Sequence, residues 1–113
     1  TRNVNIDDII YISTTVTPHK LLMILTTGEM QLLGSINQYA KENPMLEKIN
    51  QSCLVNPKNI ESIDLKQHRV QFINGDVEDF SRTSVQKMKD LLSEYNYKTE
   101  TLAKKEEENG NFA

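Results

Sequence analysis

Through the first two-thirds of this 113-residue chain, apolar residues come in short runs that turn-forming residues close almost at once. Leu21 to Leu25 gives way to Thr26, Thr27 and Gly28, Leu54-Val55 to Asn56-Pro57, and the segment ending at Ile73 to Asn74-Gly75. Runs this short do not make a helix of ordinary length, whereas they suit strands joined by tight turns. The chain is therefore expected to be mainly β.

Each segment can be read in turn. Residues Ile6 to Ser13 form a strand, and the polar stretch Thr14 to Lys20, with Pro18, is a loop. Leu21 to Leu25 reads as a strand buried on both faces, and Thr-Thr-Gly-Glu turns the chain into a returning strand, Met30 to Leu33. Ser35 has the chemistry of an N-cap for a short helix over Ile36 to Glu42, which Pro44 ends. Met45, Leu46, Ile49, Cys53, Leu54 and Val55 lead into a further strand. Ile60 to Leu65, Arg69 to Ile73 and Val77 to Phe80 make a meander whose last turn is Asn74-Gly75, both residues being tolerant of positive φ. Only then does the period change: Thr83 and Gln86 have capping-box spacing, and Val85, Met88, Leu91, Leu92 and Tyr95 recur at helical intervals. Residues 96–113 lose this periodicity and are expected to be a flexible polar tail.

Composition removes several classes of function. A chain of this size buries roughly two-thirds of its unfolded surface and needs no disulfide or metal to hold a core. Cys53 is the single cysteine, and four scattered glycines cannot build a phosphate cradle, so neither a cofactor nor a metal site is expected. No apolar run nears the ~20 residues that cross a bilayer, and no signal peptide is evident, which points to a cytoplasmic protein with no membrane partner. The missing initiator Met is expected of a processed chain or of a domain cut from a longer one. Net charge is −3, but residues 1–92 carry ten cations against eleven anions, so the body is nearly neutral. A Cys53–His19 or Cys53–His68 pair is the only enzymatic combination available, and Cys53 inside an apolar strand reads more simply as a small buried hydrophobe. Asp7-Asp8 and Glu78-Asp79 are neighbours that point to opposite faces of a strand, which suits solvated charge rather than shared acid-base work.

Polar clusters that abut regular elements carry more information. Three stand out: Thr17-Pro18-His19-Lys20, Asn50-Gln51-Ser52 and Ser81-Arg82-Thr83. Arg forks onto guanine, Asn and Gln onto adenine, and His, Lys, Ser and Thr reach bases or phosphates. Ordinary polar turns, a salt bridge from Arg82 to Asp79 and capping by Thr83 would equally explain them.

With these clusters in view, six landmarks fall in a familiar order. They are Asp8-Ile9-Ile10-Tyr11-Ile12, Pro18-His19-Lys20-Leu21, Gly34-Ser35-Ile36, Leu54-Val55-Asn56 with Asn59-Ile60, Asn74-Gly75, and Ser81-Arg82. From about residue 4 to 95 the chain resembles the LytTR-type DNA-binding domain of bacterial response regulators, especially quorum-sensing regulators of the AgrA and ComE type. The resemblance implies an elongated stack of small antiparallel sheets with short helices and one C-terminal helix, comprising residues 1–95. It implies contact with double-stranded promoter DNA in successive major grooves, through His19 and Lys20, through Gln51 and Ser52, and through Arg82 and Thr83. Direct repeats, a dimer on DNA and an N-terminal receiver domain come with it, as does control of peptide-pheromone quorum sensing or bacteriocin production, as an activator and not as an enzyme. Lys48-Ile49-Asn50-Gln51-Ser52-Cys53 departs from the family, with amides where a His and a cation are common and Cys for an aromatic. Fewer neutralised phosphates imply modest affinity and a shallow salt slope. The alternative, drawn from neutral charge and strand content, is a protein-interaction module that binds a peptide by strand addition.

Overall fold

The computed structural model describes residues 4–95 and Tyr97, and it divides into two compact units at Asn59/Ile60. The expected tail, 96–113, falls outside the described residues apart from Tyr97. The architecture is mainly β, with two antiparallel sheets and a few short helices.

The first unit is a five-stranded sheet. Its strands are β1 (Ile9–Thr14), β2 (Lys20–Leu25), β3 (Gly28–Leu33), β4 (Glu47–Asn50) and β5 (Cys53–Val55), in the order β3-β2-β1-β5-β4. Strand β1 is central, and Ile9, Ile10, Tyr11 and Ile12 are all buried. Since successive side chains face opposite ways, both of its faces are covered. Helix α1 (Ile36–Glu42) covers one of them: Ile36 joins Ile12, Leu21, Met23, Leu46 and Leu54 in the core, and Tyr39 and Ala40 pack at its margin. The Ser35 hydroxyl accepts the Gln38 N–H at 3.1 Å, so the sequence-read cap and both helix limits hold.

Three sequence expectations change here. The first strand is shorter than Ile6 to Ser13, because Asn5 Oδ1 accepts the Asp7 N–H and winds Ile6–Asp8 into a 3-10 turn before β1. In β2 only Leu21 and Met23 are fully buried, while Leu22, Ile24 and Leu25 are partly covered, so the strand is not buried on both faces. The single strand expected beyond Pro44 is two: Asn50 Oδ1 accepts the Ser52 N–H at 2.6 Å, and this side-chain turn reverses the chain at Gln51-Ser52.

Asn56 and Asn59 fasten the other end of the sheet. Asn56 Nδ2 donates to the carbonyls of Ile6 and Ile9, both at 2.9 Å, and Asn59 Nδ2 to those of Asp7 and Ile9. Both asparagines are buried, and their bonds to the Ile9 carbonyl lie away from solvent, where an unpaired group would be costly.

The second unit is the three-stranded sheet β6 (Ile60–Asp64), β7 (Arg69–Phe72) and β8 (Val77–Asp79), followed by α2 (Val85–Glu94). Ile63, Val70, Phe72, Phe80 and Met88 are its most deeply buried apolar residues. Asp64 Oδ1 accepts two backbone N–H groups to shape the first turn, where His68 takes φ 56° and stacks on Phe80. The Asn74-Gly75 turn is a three-residue loop, closed by Phe72 and Asp76, in which Gly75 alone has positive φ. The capping box does not form: Arg82–Ser84 is a 3-10 turn, and the Thr83 hydroxyl meets the Ser81 hydroxyl at 3.1 Å instead of a helix N–H.

Candidate nucleic-acid interface

Antiparallel pairing decides which loops meet in the first unit. Thr14 ends β1 opposite Leu21 near the start of β2, Lys20 pairs with Leu33 at the end of β3, and Ser13 pairs with Cys53 at the start of β5. The ladders run one step further, with the Thr14 N–H on the Ser52 carbonyl at 3.0 Å and the Gly34 N–H on the His19 carbonyl at 2.8 Å. The loop after β1, the turn between β4 and β5 and the start of α1 therefore crowd one end of the sheet. Asn56, Asn59 and the exposed Lys58–Asp7 pair, 3.5 Å apart, occupy the opposite end.

At the crowded end lies a cleft of about 280 Å³. His19, Lys20 and Gln51 line it together with Thr15, Thr17, Gly34, Ser35 and Asn37. Of the residues expected to contact DNA, these three are brought to one place. Ser52 stands next to Gln51 with its side chain exposed, while its backbone is spent on Asn50 and Thr14. Arg82 and Thr83 belong to the second unit, where both are exposed on the 3-10 turn ahead of α2. Ser84 behind them is buried and meets the Ser81 hydroxyl at 2.9 Å.

The loop before β2 is tightly set although it is exposed. Thr15 Oγ1 accepts the Thr17 N–H at 3.2 Å and donates to the Lys20 carbonyl at 2.9 Å, with the Thr17 carbonyl at 3.2 Å. His19 sits at φ 64°, a left-handed backbone that an L side chain seldom takes. Gly34 has φ 132°, and a Cβ there would stand 2.7 Å from Gln38 Oε1 and 3.0 Å from the Tyr39 ring. The Tyr39 hydroxyl donates to the Leu33 carbonyl at 2.9 Å, fixing the crossing from β3 into α1.

Sequence reasoning missed two groups at this end of the sheet, Val16 in the loop after β1 and Asn37 in the cleft. Val16 is wholly exposed, an apolar side chain among polar loop residues, and that contrast was visible in Thr15-Val16-Thr17. Asn37 carried no signal, because it reads as any polar residue on a surface helix. Elsewhere, Cys53 is completely buried in β5, as a small hydrophobe in the core. Among the described residues no helix is long and apolar enough to cross a membrane.

Sheet, cleft and loops define a class: a small β-rich module that presents amide, imidazole and ammonium groups from turns held by a rigid sheet. The LytTr DNA-binding domain family matches residues 1–93. The chain belongs to that family of DNA-binding domains. It is 30% identical over 73 residues to accessory gene regulator protein A of two Staphylococcus epidermidis strains, a match covering 65% of this chain and 31% of the relative's length. The fold resembles the solved LytTr DNA-binding domain of a putative methyl-accepting/DNA response regulator from Bacillus cereus. There the TM-score is 0.67 at 16% identity, covering 79% of this chain and 84% of the other.

Proposed function

We propose that residues 1–95 are the sequence-reading output module of a cytoplasmic two-component response regulator, acting on promoter DNA and not as an enzyme. The observation that carries this reading is the convergence of His19, Lys20 and Gln51 on one cleft. In this reading the Gln51 amide pairs with an adenine edge, His19 and Lys20 reach base acceptors or phosphates, and Val16 meets a thymine methyl. Ser52 adds a hydroxyl beside Gln51, and Arg82 with Thr83 supplies a second contact group whose guanidinium forks onto guanine.

A receiver domain preceding the module, phosphorylated on cue, would dimerise the regulator on direct repeats. Linking two modest binders raises avidity without any new contact. Likeness to the accessory gene regulator protein supports a place in peptide-pheromone signalling. Strand addition is not favoured, since the family is one of DNA-binding domains.

The test is selection of binding sites from a random-sequence duplex library by the 113-residue chain, followed by titration of the enriched duplex against salt. A recurrent motif whose affinity falls with added salt is expected. Failure to enrich any motif, or binding indifferent to salt, refutes the proposal.

A further inference from the structure

We propose that Asn37 is a further DNA contact, held by Lys48 so that it donates to an acceptor atom of the duplex. The inference rests on the reading of the cleft as DNA-facing. Asn37 is the second residue of α1, exposed, and it lines the cleft with His19, Lys20 and Gln51. Its neighbour Ile36 is buried in the core, which fixes the rotational setting of the helix and leaves Asn37 on the cleft side.

Lys48 on β4 places its Nζ 2.9 Å from Asn37 Oδ1. An ammonium donates and never accepts, so the amide atom it meets must be the carbonyl oxygen. That contact settles which way round the amide lies. An unconstrained Asn offers an acceptor and a donor side by side, the pattern that matches adenine N6–H and N7. Lys48 takes one of the two lone pairs of Oδ1 and turns that oxygen toward itself, so the groups Asn37 has wholly unengaged are its two N–H donors. Those suit atoms that only accept, such as guanine O6 and N7, thymine O4 or a phosphate oxygen. Asn37 is thus assigned a chemistry that its residue type alone would not give, and Lys48 is the positioning residue.

The experiment uses the full 113-residue chain and the duplex enriched above, together with duplexes carrying each single base-pair replacement. Asn37→Ala is expected to weaken binding to the enriched duplex by about fivefold or more. A loss that vanishes when one particular base pair is replaced identifies a base edge, guanine or thymine according to the pair; a loss of equal factor on every duplex identifies a phosphate. Lys48→Met combined with Asn37→Ala should weaken binding by less than the product of the two single effects, because the lysine acts through the asparagine. A fully multiplicative loss removes Lys48 from that role. Thermal midpoints recorded in parallel should stay within a few degrees of the parent chain. Wild-type affinity for Asn37→Ala beside weakened His19→Ala overturns the inference and leaves the DNA-facing cleft standing, whereas unchanged affinity in both variants overturns the two together.

Discussion

His19 is under two demands that pull in opposite directions. Its backbone lies in the left-handed region, where an L residue costs about 1–2 kcal/mol and glycine costs nothing comparable. Its side chain lines the cleft. His19→Gly is therefore expected to raise stability by up to about 1 kcal/mol while weakening binding to the enriched duplex. Thermal melting and anisotropy titration of one protein sample read both effects, and a variant that loses stability and affinity together would show a structural histidine. Asn56 is the converse case. Asn56→Ala removes one donor from each of the Ile6 and Ile9 carbonyls, which keep the Ile9 N–H and Asn59 Nδ2 respectively, and is expected to cost about 1–2 kcal/mol, measured by denaturant unfolding, with no specific change in base preference. The sequence flagged both residues, through a polar loop and through Leu54-Val55-Asn56, but not their different roles. Only the buried bonds of Asn56 to backbone many positions away separate the two, and no local pattern encodes them.

At the level of elements, what could be read depended on how local the cause was. Helix α1 was legible because Ser35 and Pro44 lie within its own segment. The β4–β5 reversal was legible only as the polar cluster Asn50-Gln51-Ser52; that the 2.6 Å bond from the Asn50 side chain makes it a tight turn between two strands was not. The capping box failed for a related reason, the Thr83 hydroxyl being engaged by Ser81. The β3–α1 crossing rests on Gly34, where positive φ coincides with too little room for a Cβ. Gly34→Ala is expected to destabilise by about 1–2 kcal/mol and to reduce DNA affinity by displacing the rim, both effects being read from one set of melting and binding curves. Strand β8 carries a pH effect. Burial, then the nearby Asp79 and Asp76 carboxylates, hold Glu78 above the ordinary carboxylate value of 4.5. The folded chain thus binds its proton more tightly than the unfolded chain, so stability declines as pH rises from about 4.5 through the folded value. Glu78→Gln should melt higher than the parent at neutral pH and converge with it in acid; equal melting at both would remove the effect.

For the molecule as a whole, near-neutral charge over residues 1–92 sets the expected strength of binding. With few phosphates neutralised, the plot of log affinity against log salt should be shallow, and Lys20→Ala should reduce its slope by about one. Lys58→Ala should leave that slope untouched, because Lys58 pairs with Asp7 at the far end of the sheet. Arg82→Ala is expected to cost about 1–3 kcal/mol and relax one base preference, which binding to single-replacement duplexes measures; retained preference at every base pair would remove Arg82 from the contacts.

The apolar interior of the first unit draws on Ile12, Leu21, Ile36 and Leu54, while His19, Asn37 and Gln51 stand outside it at the rim. On the proposed reading of the cleft, target choice rests on these rim residues, and Leu21 and Ile36, which belong to the core and also line the cleft, tie the rim to the interior. If the proposal holds, rewriting His19, Asn37 and Gln51 redirects the module to a new operator while its interior is left as it is.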